Sequence, residues 1–252
     1  MPVTIKSARE IELMAEAGRI LEIVHNELRD ALHAGMSTLD IDRLGEEIIR
    51  SYDCIPSFLN YNGYPASICV SVNEEVVHGI PSKKRILHEG DIVSMDAGVI
   101  YKGYHSDAAR TVGVGEISKE AQQLIEVTKQ SFFTGIQFAK EGCHLHEISN
   151  AIADYNEKHG YGVIRDLVGH GIGTKLHEDP EIPNFRQERR GIKLYEGMTL
   201  AIEPMVAMGD WKVRCLDDDW TMVTTDHSLT AHYENTVLVT KNGPEILSLV
   251  KE

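Results

Sequence analysis

The sequence predicts an α+β fold of two related halves that share a sheet, with helices packed on one side of it. Three observations carry this prediction. The order helix, helix, strands occurs twice along the chain. The letters themselves repeat at an offset of 107 positions, Ala34-Gly-Met-Ser-Thr-Leu-Asp-Ile41 against Glu141-Gly-Cys-His-Leu-His-Glu-Ile148 and Glu89-Gly-Asp-Ile-Val-Ser-Met-Asp96 against Glu196-Gly-Met-Thr-Leu-Ala-Ile-Glu203. No proline- or serine-rich linker separates the two copies, so residues 1–252 are expected to form one domain with half-repeats at about 7–114 and 115–240.

Each element has a local reason. Ser7-Ala-Arg-Glu10 reads as a capping box, and Ile11, Met14, Ala17, Leu21, Val24, Leu28 and Ala31 follow at helical steps, giving a helix to about Leu32. Ser37-Thr-Leu-Asp40 starts a second helix with Ile41, Leu44 and Ile48 on one face. Residues 53–66 read as an aromatic-rich loop, and 67–72 as a strand. The stretch from Gly90 to Val112 has strand composition interrupted by Lys102-Gly103, as a hairpin requires. Helices are expected again over Lys119–Ala139 and Leu145–His159, with strands at 163–168, 199–208 and 228–239. The acidic excursion Cys215-Leu-Asp-Asp-Asp-Trp220 reads as a solvated turn.

Composition narrows the function. A formal charge of −14 disfavours nucleic acid and favours cations, metal ions and protonated amines among them. No apolar run approaches transmembrane length, and the N-terminus lacks a signal-peptide core. The four scattered cysteines, Cys54, Cys69, Cys143 and Cys215, are expected to be reduced, buried, small apolar residues of a cytoplasmic protein.

The chemistry starts at the hairpin. A two-residue loop at Tyr101-Lys102, with Ile100 facing Gly103, sets Asp96 directly opposite Asp107, whereas a three-residue loop moves the register by about one place. Like charges that face each other repel, so a divalent metal or a shared proton should lie between them. Two exposed aspartates that never meet would leave the same letters. The repeat turns the pair into a set: Asp96 corresponds to Glu203, Asp107 to Glu234, and His78-Gly-Ile80 recurs as His170-Gly-Ile172. Four carboxylates and a histidine would converge if the halves face each other. Two divalent cations about 3.5–4 Å apart would neutralise them, as in dinuclear hydrolases. There is no Gly-x-Ser-x-Gly elbow and no His-Glu-x-x-His, so serine hydrolases and single-zinc peptidases lack support.

These residues resemble the type I methionine aminopeptidases, of the pita-bread (creatinase/aminopeptidase) group of metallohydrolases. The likeness runs from Lys6-Ser-Ala-Arg-Glu-Ile-Glu-Leu-Met14 through Asn73-Glu, Val-His78-Gly-Ile-Pro81, Asp96 with Asp107, Gly169-His-Gly-Ile-Gly173 and Glu203-Pro204 to Glu234-Asn-Thr-Val. The resemblance implies a curved, mainly antiparallel sheet covered by four main helices. It implies Asp96, Asp107, His170, Glu203 and Glu234 as ligands of two divalent ions (cobalt, manganese, iron or zinc), with Asp107 and Glu234 bridging. It further implies a metal-bridging water or hydroxide as nucleophile, Glu203 as proton carrier, and His78 and His177 flanking the scissile peptide. Phe58, Tyr61, Tyr64, Cys69, Leu176 and Trp220 stand where that family builds its methionine pocket. Phe58 replaces a usually smaller residue and Leu176 a frequent aromatic, so the pocket's shape is this chain's own. Asn73, Glu75 and Thr230 are implied as a site for sodium or potassium.

The implied reaction is removal of the initiator methionine from nascent chains with a small second residue, by a monomer with at most transient ribosome contact. Two alternatives compete. A proline-specific pita-bread peptidase would carry a sizeable domain before the catalytic one, yet only 95 residues precede Asp96 here. A non-catalytic pita-bread binding protein would lose metal ligands, and all five are present.

Overall fold

The computed structural model describes residues 3–249. Helix α1 spans Ala8–Ala31 and α2 Thr38–Ser51. The expected capping box of Ser7 with Glu10 opens α1, and Ser37 forms a second one with Asp40 at the expected start of α2. Strands β1 (Ile55–Pro56), β2 (Ile68–Val72), β3 (Glu75–Val77), β4 (Ile92–Tyr101) and β5 (Tyr104–Gly113) complete the first half. The second half begins with α3 (Lys119–Gly135) and α4 (Leu145–Lys158). It continues with β6 (Gly162–Val163), β7 (Gly169–Gly171), β8 (Glu178–Ile182), β9 (Thr199–Ile202), β10 (Met205–Ala207), β11 (Val213–Cys215), β12 (Met222–Thr224), β13 (Thr230–His232), β14 (Asn235–Val239) and β15 (Pro244–Ile246).

Four expected elements differ. The third helix ends at Gly135 and tightens into a 3-10 turn over Ile136–Phe138. The long strands 199–208 and 228–239 are each broken in two, at Glu203-Pro204 and at Tyr233-Glu234. Proline has no N–H to give a ladder, which accounts for the first break. The expected strand at 163–168 is confined to its start, with β7 beginning only at Gly169.

The hairpin is also corrected. Tyr101 pairs with Tyr104, so the two loop residues are Lys102 and Gly103, one place later than expected. Both have positive φ, 48° and 87°, as a type I′ turn requires, and Gly103 adopts this without steric cost. Asp96 therefore faces Ala109, while Asp107 faces Gly98. The aspartates are diagonal rather than opposite, and because side chains alternate they still share one face.

That alternation positions the site. On β4, Val93, Met95, Ala97 and Val99 enter a core with Leu21, Val24 and Leu28 of α1 and Ile41 and Ile48 of α2. Asp96 has the opposite parity and faces away from those helices. In the second half, Leu200, Ile202, Val237 and Val239 pack against Phe132 of α3 and Ile148 and Ile152 of α4. Fully burying each such side chain contributes roughly 1.5–3 kcal/mol, so each sheet's apolar face is firmly tied to its helix pair.

The halves meet along β5 and the segment 230–236. Ala109 and Glu234 exchange backbone hydrogen bonds. Beyond them, threonines act as spacers. The Thr236 hydroxyl accepts from Asp107 N at 2.9 Å and donates to Asp107 O at 3.0 Å. Thr111 does the same for His232, at 2.8 and 2.9 Å.

Candidate metal centre and substrate pocket

Asp96 (β4), Asp107 (β5), His170 (β7), Glu203 (the break after β9) and Glu234 (the break before β14) come together on one wall of a cavity of about 200 Å³. The broken strands matter here: each break turns a glutamate out of the ladder and into the site. His170 Nε2 lies 3.8 Å from Asp107 Oδ2 and 3.6 Å from Glu203 Oε1. Its Nδ1 is 2.9 Å from Gly171 O, which places the proton on Nδ1 and leaves Nε2 with a bare lone pair.

Burial lifts the Asp96 carboxyl from its ordinary 3.8 to about 7. Burial raises Asp107, Glu203 and Glu234 as well, and the neighbouring carboxylates push each further up. Burial also lowers His170 to about 3, so the imidazole is neutral. Asp96 Oδ1, Asp107 Oδ1 and Glu234 Oε1 have no hydrogen-bond partner although they are inaccessible. Two sets, Asp107 with His170 and Glu234, and Glu203 with His232 and Glu234, bring ligand atoms within 4.8 Å of one another. Orphaned oxygens, crowded anions and a bare imidazole nitrogen form a donor set that fits divalent cations.

The apolar wall comes from the aromatic loop and its partners. Phe58, Tyr61, Tyr64, Cys69, Leu176 and Trp220 all line the cavity. Phe58, Tyr64, Cys69 and Leu176 are buried together with Met14 of α1. The excursion between β11 and β12 has exposed aspartates, as expected of a solvated turn, yet it also delivers Trp220 to the pocket. Asp218 fixes that turn by accepting from the backbone N–H groups of Trp220 and Thr221.

Two further histidines stand at the rim. His78 follows β3 with φ +59°, uncommon for a residue with a side chain, and its ring meets Trp220 edge-on at 6.3 Å. Tyr64 donates to Gly79 O at 2.9 Å and so pins the peptide just after His78. Burial, then the neighbouring His177, lowers His78 to about 4. His177 stacks on Tyr61 with centroids 5.2 Å apart, and the two share a 2.8 Å hydrogen bond between Nδ1 and the phenol. Its ring is 4.1 Å from that of His170.

A profile of metallopeptidase family M24 matches residues 12–241. The chain belongs to this family. Within M24 it is 57% identical to a methionine aminopeptidase of Clostridium acetobutylicum over 247 residues, 98% of this chain and 99% of that one. The solved methionine aminopeptidase of Thermotoga maritima superposes with a TM-score of 0.97 at 45% identity, over 99% of this chain and all of the other. An Xaa-Pro dipeptidase from Bacillus anthracis shares the fold at a TM-score of 0.80 and 25% identity, over 98% of this chain but 62% of that one. The type I methionine aminopeptidase resemblance and its pita-bread fold are thereby shown.

In this M24 chain the remaining expected residues are also adjacent. Asn73 sits in a left-handed turn (φ +59°), and the Thr230 hydroxyl lies 3.0 Å from both Asn73 O and Glu75 O, which share its single proton. Glu75 offers its carbonyl there, because its carboxylate is engaged by Val72 N and Arg85. Two residues escaped the sequence reading. Asn62 lines the cavity. His232 lies against Glu203 and Glu234 at 3.9 and 3.8 Å. The signal for His232 was its place two residues before Glu234, in the counterpart of His105-Ser-Asp107. The cysteines are all free, but Cys143 is only half-buried and Cys215 is exposed, at the end of β11, the edge strand of the β11-β12-β3 sheet.

Proposed function

We propose that this protein is a methionyl aminopeptidase that removes the N-terminal methionine from nascent proteins with a small second residue. The observation that carries the reading is the buried set of four carboxylates and His170, with three orphaned oxygens, beneath an apolar pocket closed by Phe58, Tyr64, Leu176 and Trp220. The names of the relatives support it.

Asp96, Asp107, His170, Glu203 and Glu234 would hold two divalent ions, and four carboxylates with an imidazole suit manganese, iron, cobalt or zinc. When bound, such ions lower the pKa of coordinated water to near neutrality and polarise a carbonyl. The chain's own residues do the rest. The pocket takes an unbranched thioether side chain and excludes water from it. The substrate's free α-amino group would bind at the metals, which restricts cleavage to the first peptide bond. His78 and His177 are neutral donors on either side of that bond, where they steady developing charge on its oxygen and hold its nitrogen. Glu203 accepts a proton from the attacking water and delivers it to the leaving amine. The oxygens of Asn73, Glu75 and Thr230 would hold a sodium or potassium ion that braces the turn before His78.

The proposal includes a monomer in the cytoplasm, a single catalytic domain of two half-repeats, and transient contact with the ribosome. No helix among the described residues is long and apolar enough to cross a membrane. The test is hydrolysis of Met-Ala-Ser and of an Xaa-Pro peptide after loading with manganese, cobalt, iron or zinc in turn. Release of methionine from the first alone is expected. No cleavage of Met-Ala-Ser with any metal overturns the reading, and cleavage of the Xaa-Pro peptide instead would favour a proline-specific peptidase.

A further inference from the structure

His232 is the last residue of β13, 1% exposed, and neither of its ring nitrogens has a hydrogen-bond partner. Its Nε2 stands 3.9 Å from Glu203 Oε2 and 3.8 Å from Glu234 Oε2, so one imidazole faces both glutamates at the two strand breaks. Glu203 thus lies between two histidines, with His170 near Oε1 and His232 near Oε2.

The two rings differ in where the proton must be. His170 has an acceptor for an Nδ1 proton in Gly171 O, so its Nε2 is free to ligate. His232 has none. Nδ1 faces no acceptor among the described residues, whereas Nε2 faces two carboxyl oxygens at 3.9 and 3.8 Å, so a proton on Nε2 is attracted by both glutamates and one on Nδ1 is not. That makes the ring a donor rather than a ligand. Its backbone is held on both sides, by the Thr111 hydroxyl and by the pairing of His232 with Met205, so the ring cannot withdraw.

We propose that His232 is a positioning residue of the metal centre: its Nε2–H faces Oε2 of Glu203 and of Glu234 from just beyond hydrogen-bond distance, at 3.9 and 3.8 Å, and closes onto these oxygens as their other oxygens turn toward the cations. Glu234 Oε1 has no hydrogen-bond partner among the described residues, as this division of labour requires. The inference rests on the metal-centre reading above. Without that donor both carboxylates rotate about their last torsion, and metal binding weakens before any substrate arrives.

Calorimetric titration of metal-stripped protein with manganese tests this. His232→Leu should raise the dissociation constant about 10–100-fold, the range expected when a ligand's hydrogen-bond partner is lost. His232→Gln, which restores an N–H donor, should recover most of that loss. Leu within twofold of wild type overturns the role, and Gln as weak as Leu overturns the donor assignment. Should the Leu variant fail to fold, nitrogen-15 NMR of histidine-labelled wild type still decides, with the signals of His232 assigned by their absence in the Gln variant. A proton on Nε2 is expected, and one on Nδ1 overturns the proposal. Wild type that binds no manganese would instead overturn the metal centre itself, and this role with it.

Discussion

Replacing Asp96 by asparagine should make the metal-free protein more stable while weakening its hold on metal. Burial raises the Asp96 carboxyl from 3.8 to about 7. Between those values the unfolded chain has released the proton and the folded chain retains it, so folding takes up a proton and stability falls as pH rises. At about 1.4 kcal/mol per pH unit, the cost at pH 7.5 approaches roughly 4 kcal/mol as a ceiling. The substituted amide has nearly the same shape as the carboxyl and nothing to ionise. Asp107, raised further by the charge of Asp96, would relax as well. For a chain of this size, 1 kcal/mol corresponds to roughly 2–4 °C, so metal-free D96N should melt on the order of 5–15 °C above metal-free wild type at pH 7.5. At pH 4 the difference should largely vanish. Saturating manganese should stabilise wild type strongly through linkage and D96N much less, which narrows or reverses the gap. The assay is calorimetric melting at both pH values, with and without manganese. Metal-free D96N that melts no higher than wild type at pH 7.5, or equal stabilisation of both by manganese, would refute the reasoning.

Three further outcomes follow from particular contacts. A Cβ at Gly18 of α1 would lie 2.1 Å from Leu247 O and 2.9 Å from Ser248 N, in a segment pinned by Leu247 N to Thr236 O at 2.8 Å. The roughly 1 kcal/mol that alanine adds to a helix is outweighed, and Gly18→Ala should destabilise by about 1–3 kcal/mol in urea, where a stabilised variant would contradict the packing. Phe58→Ala should enlarge the pocket and lower kcat/KM for Met-Ala-Ser about 10-fold or more, mainly through KM, and unchanged kinetics would remove Phe58 from the pocket. His25 is fully buried, with Nε2 at 2.8 Å from Ala108 O, and burial lowers it to about 3. Since the unfolded chain binds the proton first, its contribution is present above pH 6.5 and lost as pH falls toward 3; His25→Gln should flatten that acid limb of metal-free melting, and an unaltered slope would count against it.

The architecture was legible because duplicated letters carry a duplicated helix, helix, strands order, and because Ser7 and Ser37 mark helix starts locally. What was lost was geometry set by partners. Lys-Gly is a weaker turn signal than Asn-Gly, so the hairpin loop was placed one residue early, yet the pairing slipped by two positions and the period of two kept both aspartates on one face. The break at Glu203-Pro204 was announced by its proline. That at Tyr233-Glu234 was not, and with it went the position of His232, which depends on two breaks distant in sequence.

The threonine seam between the halves has a metrical consequence. Asp107 is gripped by Thr236 of the other half, and His232 by Thr111 of the first. Each half therefore carries the gauge for a site residue of its opposite, and the spacing across the centre is calibrated by two hydroxyl groups rather than by a continuous ladder. A loss of either hydroxyl would be felt as a change of bore in a site whose residues run from Asp96 to Glu234 in sequence yet lie a few ångströms apart in space.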